Sequence, residues 1–468
     1  MRKTTAIIWF RNNLRVTDNH ILSSASHKFD HLLPIYIFDT SDWEKDEYGH
    51  IKTNVYRTKF ILESVRELRE NLRELGSDLI IKTGDPAKIL PNLVKEYEAD
   101  QIITPKGITP EDVKLDKEIT QNAGALYRPR YSSMLYHPEF LPFKPLSRIP
   151  NIFTSFRKKV ELKCYVAKPV LKPEQLKGAN FTDVGELPAL KDFGFEKPAK
   201  EKRAAFDWQG GEEEGLDRLH QYVLGSRNVV SFYSKRNEMM GSDFSTKLSP
   251  YLSLGCISPQ HVWHKVEELE TRKKDRNSYW VKLVLIWREY FRHLTLKYRD
   301  DMFAAKGIAG KQVEWKRDEK LERAWKEGRT GIPIVDACMR EIAATGYMSN
   351  KGRQITASFL TQDLKIDWRV GASWFRSLLI DYDVYSNYGN WAKTAGVGVN
   401  SSKNQYVNPL EETTAYAKSA EYIRKWIPEL KKAEPQQLTQ WPFLSESERK
   451  KAAPNYTAPV YVSEQWKK

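Results

Sequence analysis

Cysteine is scarce: the 468 residues hold three, Cys164, Cys256 and Cys338, widely spaced and without a Cys-x-x-Cys pair. An odd, scattered set excludes a disulfide framework, and a reducing cytoplasm is the expected compartment. Long hydrophobic runs are missing as well. The N-terminus, beginning Met1-Arg2, turns apolar for only five or six residues before Arg11. That is too short for a secretion signal and far below the ~20 apolar residues of a membrane span, so no anchor is expected. There is no Gly-x-x-x-x-Gly-Lys phosphate loop and no Gly-x-Gly-x-x-Gly after the first apolar run, which removes the usual nucleotide signatures. Gly-x-Ser-x-Gly and His-Glu-x-x-His are missing too, arguing against those hydrolases. His261 and His264 stand three apart without a third ligand nearby, and read as helix-surface residues; no metal site is expected.

Acidic residues are outnumbered, 61 Asp and Glu against 75 Lys and Arg, giving a net charge of +14. That balance favours a polyanionic partner such as nucleic acid. Aromatic residues are abundant: 14 Trp, 23 Tyr and 19 Phe. They suggest aromatic walls around a flat ligand, with ordinary core packing the alternative for any one ring.

The length calls for two or three domains. Short apolar runs at residues 6–10, 32–38, 78–81 and 99–103 read as buried parallel strands. Between the second and third, Ile61, Leu62, Val65, Leu68, Leu72 and Leu75 recur at helical spacing, with Gly76 as a stop. This pattern predicts a doubly wound, Rossmann-like α/β domain over residues 1–135. Residues 136–211 are rich in Pro and Lys and read as a connector wrapping the surface. Residues 212–430 lose the strand pattern and predict an all-α domain whose clearest helix spans 278–298, apolar nearly all round. Residues 431–468 read as a basic tail.

Within the helical half, a dense run extends from Thr330 to Val399. It contains Thr-Gly-Ile-Pro-Ile-Val-Asp-Ala-Cys-Met-Arg (330–340), Ile-Asp-Trp-Arg-Val-Gly-Ala (366–372) and Leu-Ile-Asp-Tyr-Asp-Val-Tyr-Ser-Asn-Tyr-Gly-Asn-Trp (379–391). Together with Ile-Ile-Trp-Phe-Arg-Asn-Asn-Leu-Arg (7–15), Ser-Thr-Lys-Leu-Ser-Pro-Tyr-Leu-Ser-Leu-Gly (245–255) and Leu-Ile-Trp-Arg-Glu-Tyr-Phe-Arg (285–292), it resembles the photolyase/cryptochrome flavoprotein family. Leu135-Tyr136-His137-Pro138, Leu141-Pro142-Phe143, residues 153–161 and residues 386–391 are similar to its cryptochrome-DASH branch. The resemblance covers essentially the whole chain.

It implies FAD buried in the helical domain. Ser245, Thr246, Lys247, Leu248 and Ser249, followed by Pro250, offer donors and a helix start for the pyrophosphate. By family position Tyr233 lies against the same phosphates, and Arg288 and Asn350 belong to the site. Asp381 and Asp383 are expected at the ribose and the polar edge of the isoalloxazine, with Arg353 and Asp363 forming an ion pair over the ring. Asn387 is expected to face flavin N5, where an uncharged amide suits both the half-reduced and the fully reduced cofactor. Trp391, Trp368 and Trp315 match the three positions that relay an electron from the surface to the flavin. Glu111 resembles the acidic anchor of a methenyltetrahydrofolate antenna, with a solvated loop residue the alternative.

The family also implies DNA, single-stranded or with an extruded base, bound by a basic rim and an aromatic cleft. Rim candidates are Arg157, Lys158, Lys159, Lys235, Arg236, Lys351 and Arg369; cleft candidates are Trp287 and Tyr347, with Asn350 in the pocket. Two departures stand out. Repair enzymes of the family carry Glu three residues before the Trp287 position, where this chain has Val284, and Trp or Tyr two residues after Trp391, where it has Lys393. Losing a charge-assisted hydrogen bond costs about 1.5–3 kcal/mol, and losing a stacking platform about 1–3 kcal/mol. Two readings therefore stand: a blue-light flavoprotein that binds DNA with weakened repair of cyclobutane pyrimidine dimers, or a fully active DASH-type photolyase. A monomer is expected in either case.

Overall fold

The computed structural model describes residues 3–178, 181–270, 276–400, 405–416 and 418–467; Met1, Arg2 and Lys468 lie outside the described residues. Five strands, Thr5–Phe10 (β1), His31–Phe38 (β2), Ile80–Thr83 (β3), Gln101–Pro105 (β4) and Leu126–Arg130 (β5), form one sheet in the order β3-β2-β1-β4-β5. Every neighbouring pair is parallel, with Ala6 opposite Leu32 on one side and Gln101 on the other. β1 is buried at all six positions, as the centre of a sheet covered on both faces must be. Parallel neighbours need crossovers, and helices His20–Lys28, Val55–Glu74, Pro86–Glu96 and Pro110–Asn122 supply them. Their starts are capped by side chains of Asn19, Asn54, Asp85 and Thr109, the last in a reciprocal box with Asp112.

The sequence pattern did not show β5. Only Tyr127 of that edge strand is buried, and Arg128, Pro129 and Arg130 break the alternation. The third strand is displaced by two residues from the expected 78–81 and is paired over Ile80–Thr83. Beyond β5 the chain runs through short turns and one helix, Phe153–Lys163, whose Phe153, Phe156 and Val160 are buried.

The rest is helical. Arg276–Tyr298 runs through its centre, burying residues on every face, among them Leu283, Arg288, Glu289, Arg292 and Leu294. Helices Pro333–Thr345, Asn350–Ser358, Trp368–Leu378 and Val384–Thr394 assemble a second core with Trp325, Trp368, Trp391 and Trp426. The expected tail packs back onto this core: Trp441 and Trp466 are buried, and Trp466 Nε1 donates to Tyr406 OH at 2.6 Å. The loop after β1 clasps the helical half. Glu212 accepts from the backbone N–H groups of Val16 and Thr17 at 2.7 and 2.9 Å, and Arg15 donates to Gly255 O at 2.8 Å. Among the described residues no helix is long and apolar enough to cross a membrane.

Candidate functional site

A cavity of about 480 Å³ opens inside the helical half, between the 244–249 loop, the central Arg276–Tyr298 helix and the starts of the Asn350–Ser358 and Val384–Thr394 helices. A recess of about 90 Å³ adjoins it and shares Asn350, Arg353, Asp381, Asp383 and Lys393 with it. Along the central helix Trp280, Val284, Trp287 and Phe291 follow at helical spacing and form one wall.

Ser245, Thr246, Lys247, Leu248 and Ser249 line the opposite wall together. Their loop is held by Arg218, whose guanidinium donates to the carbonyls of Ser242, Thr246 and Ser245. Lys247 adopts φ +59° and is 1% exposed; its Nζ sits 3.3 Å from the Phe244 ring centre and donates to Tyr347 OH at 3.3 Å. Burial drives its pKa well below that of an ordinary lysine. Among the described residues no carboxylate lies within ion-pair distance of Lys247, so a ligand's anionic group in this cavity would favour its charged form. Tyr347 is thereby part of the floor beside Lys247. Arg288 also lines the cavity, donating to Ser133 O and Leu252 O at 3.1 and 3.2 Å; burial lowers its pKa to about 10.

The Arg353 pairing differs from expectation. Arg353 Nη2 donates to both oxygens of Asp381 at 2.9 Å, and both residues line the cavity. Asp363 is not paired with Arg353. It ends a π-helical turn, Phe359–Asp363, accepts from Tyr406 OH at 3.1 Å, and is pushed by burial to a pKa of about 7. The pair that the family resemblance implies does not form: a bulged turn lies between the two residues, and the Asp363 carboxyl accepts from Tyr406 instead.

Asp383 caps the Val384–Thr394 helix, accepting from Ser386 N–H at 2.9 Å, and Arg292 grips it at 3.2 Å. Burial opposes its charge, yet Arg292 and Arg288 hold the carboxylate below its usual range. The helix so anchored carries Asn387, Trp391 and Lys393. Asn387 is 9% exposed, lines the recess, and donates through Nδ2 to Ala372 O at 3.0 Å.

Trp391 lines the recess and is 3% exposed; Trp368 is fully buried, donating to Ala305 O at 3.2 Å; Trp315 is half-buried. The backbone beside Trp315 pairs with the segment before Trp368 through Lys316 N–H and Lys365 O at 2.7 Å. At the cavity mouth, Trp287 stacks on Phe153 with ring centres 3.6 Å apart, and Lys393 Nζ lies 5.3 Å from the Trp287 ring centre. Val284 is 51% exposed one turn earlier, and Asn350 lines the same space.

Other expected residues lie apart. The Tyr233 ring stands between the guanidiniums of Arg236 and Arg276, at 4.1 and 3.9 Å, and is not part of the cavity lining; Arg236 takes that place. Lys351 is tied to Glu412 at 2.6 Å rather than lining the pocket, Arg369 to Asp367 at 2.7 Å, and Arg157 to Glu161 at 3.5 Å. Glu111, 70% exposed, reaches Arg376 at 3.4 Å, away from this cavity. Arg218 and Arg292 were not found from the sequence. Arg292 had one signal: it ends the 285–292 motif, one turn after Arg288 and so on the same side of the central helix.

Comparison with known proteins agrees with this geometry. Residues 280–468 match the FAD binding domain of DNA photolyase, and residues 6–174 match DNA photolyase. A parallel α/β domain joined to a helical FAD-binding domain defines a flavoprotein of the photolyase fold. The chain is 41% identical to the cryptochrome DASH of Gloeobacter violaceus, over 92% of this chain and 87% of that one. It is 42% identical to the cryptochrome DASH of Xenopus laevis, over 91% and 82%. The solved Synechocystis sp. PCC6803 cryptochrome superposes with a TM-score of 0.94 at 34% identity, covering 100% of this chain and 98% of that one. The chain belongs to the cryptochrome DASH family, and its cofactor is FAD.

Proposed function

We propose that this protein binds single-stranded or flipped-base DNA, reduces its FAD in blue light through Trp391, Trp368 and Trp315, and repairs cyclobutane pyrimidine dimers less efficiently than relatives with an acidic pocket residue. Reduced FAD, when excited, supplies one electron and takes it back. The protein's part is to hold and position. Lys247 and the 245–249 loop would neutralise and donate to the pyrophosphate, Arg353–Asp381 and Asp383 would hold the polar edges of the cofactor, and Asn387, from the recess, would lie toward its flavin end. The observation that carries the reading is the position of Trp391, in a recess continuous with the cavity and packed against the helix that begins with Trp368. An electron donor there is protected from water, and Trp368, the second indole of the proposed relay, starts the adjoining helix.

The DNA assignment is supported by the net charge of +14 and by Trp287, which is backed by Phe153 and contributes to the cavity wall. Val284 offers no hydrogen bond to a base on Trp287, which is the reason for weak repair. The same Trp287 platform favours the second reading, an unimpaired DASH-type photolyase. A blue-light assay on a single-stranded oligonucleotide with one thymine dimer separates the two. The first reading expects turnover well below that of an intact DASH-type photolyase assayed alongside; equal turnover supports the second.

Glu111 is proposed to anchor a methenyltetrahydrofolate antenna, helped by its contact with Arg376. The division into residues 1–135, 136–211, 212–430 and 431–468, a monomeric state and a cytoplasmic location complete the reading. Related cryptochromes of Solanum lycopersicum and Arabidopsis thaliana are named chloroplastic/mitochondrial.

A further inference from the structure

We propose that Lys393 is a catalytic residue of the DNA pocket, its ammonium stabilising the negative charge that a bound pyrimidine dimer carries on a carbonyl oxygen after accepting one electron. This rests on the DNA-repair reading above.

Phe153 covers one face of Trp287 at 3.6 Å, and the Lys393 ammonium lies 5.3 Å from the ring centre, within reach of a base stacked on the uncovered face. Lys393 is half-buried and lines both the cavity and its recess. Among the described residues no carboxylate lies within ion-pair distance of it: Asp381 is taken by Arg353 and Asp383 by Arg292. The other charged groups of the lining, Arg236, Lys247, Arg288 and Arg353, are cations. Burial without a counter-charge lowers the Lys393 pKa. Such a cation is destabilised until negative charge develops beside it, which is the arrangement that favours a transition state over a ground state. Val284, exposed in the same wall, has no polar atom in its side chain, whereas Lys393 brings a charged donor to 5.3 Å from the Trp287 ring centre.

The electron balance is closed. One electron passes from reduced FAD to the dimer, and the C5–C5′ and C6–C6′ bonds break. One pyrimidine and one pyrimidine radical anion result, and the electron returns to the cofactor. Lys393 donates a hydrogen bond throughout and keeps its proton, so there is no net oxidation or reduction.

The test uses the reduced holoprotein and a single-stranded oligonucleotide with one thymine dimer at saturating concentration, scoring repair per absorbed photon. Lys393→Met is expected to lower that yield at least about tenfold, with little change in oligonucleotide Kd and unchanged flavin photoreduction. Lys393→Arg is expected to keep most of the yield. It should also move the alkaline loss of repair to higher pH, since the lowered lysine pKa places the wild-type loss below the ordinary lysine range. An unchanged yield in Lys393→Met, or a loss confined to Kd, overturns the proposal and leaves Lys393 a phosphate contact or a bystander. No repair by wild type, and none by Val284→Glu, overturns the underlying repair reading itself.

Discussion

Trp391 lies directly on Gly371. A Cβ at Gly371 would fall 2.2 Å from Trp391 Cη2 and 2.7 Å from Leu360 Cδ2, so the glycine sets how closely the indole approaches the helix that begins at Trp368. Gly371→Ala is therefore expected to displace Trp391 without removing any redox-active side chain. Overpacking of this kind costs about 1–3 kcal/mol of stability. Light-driven flavin reduction, followed by loss of the oxidised flavin absorption, should slow several-fold. Wild-type kinetics in a folded Gly371→Ala protein would show that this contact does not govern the relay.

Asp381, the carboxylate that pairs with Arg353, and Asp363, the one that the family resemblance implies for it, separate cleanly in their predicted effects. Asp381→Asn breaks a charge-assisted contact at the cavity and should weaken FAD binding to the apoprotein by roughly tenfold to a hundredfold, as fluorescence titration would measure. Asp363→Asn lies outside the cavity and should leave that affinity unchanged.

Asp363 instead bears on the pH dependence of stability. Its pKa in the folded protein, about 7, exceeds the usual carboxyl value of 3.8 because of burial, so the folded state holds a proton that the unfolded chain releases. Between about pH 4 and 7 the folded state binds more protons, and its stability falls as pH rises through that window. Glu341, also buried and near 7, acts in the same direction. Asp363→Asn should flatten the decline and raise Tm at pH 8 more than at pH 4. A Tm difference independent of pH would contradict this.

In the pocket, Val284→Glu combined with Lys393→Tyr supplies a hydrogen-bonding acid and a stacking ring where neither now exists. The double variant should bind a dimer-containing oligonucleotide about ten- to a hundredfold more tightly than wild type and repair it faster. Lys393→Tyr alone should lower the yield per bound dimer. A double variant no better than wild type would mean that these two positions do not limit repair.

Much of this architecture was legible in the sequence because burial imposes simple patterns. Continuous apolar runs marked β1 and β2, and an apolar surface all round marked the central helix. β5 was not legible, since an edge strand needs only one buried side chain, Tyr127. At the site, motif resemblance brought Lys247, Asp381, Asp383, Asn387 and Trp391 to one place, and the structure gathers all five around the cavity and its recess. The resemblance implied Asp363 as the partner of Arg353, whereas Arg353 pairs with Asp381 and Asp363 ends a π-helical turn. Arg218 and Arg292 escaped notice because they act on backbone carbonyls and a capping carboxylate brought near only by folding.

Electron transfer from Trp391 to the flavin is the central step of the proposed function. Blue-light reduction of the bound FAD should proceed in wild type and be abolished in Trp391→Phe, with FAD content unchanged in the two proteins. Unimpaired photoreduction in Trp391→Phe would contradict the account.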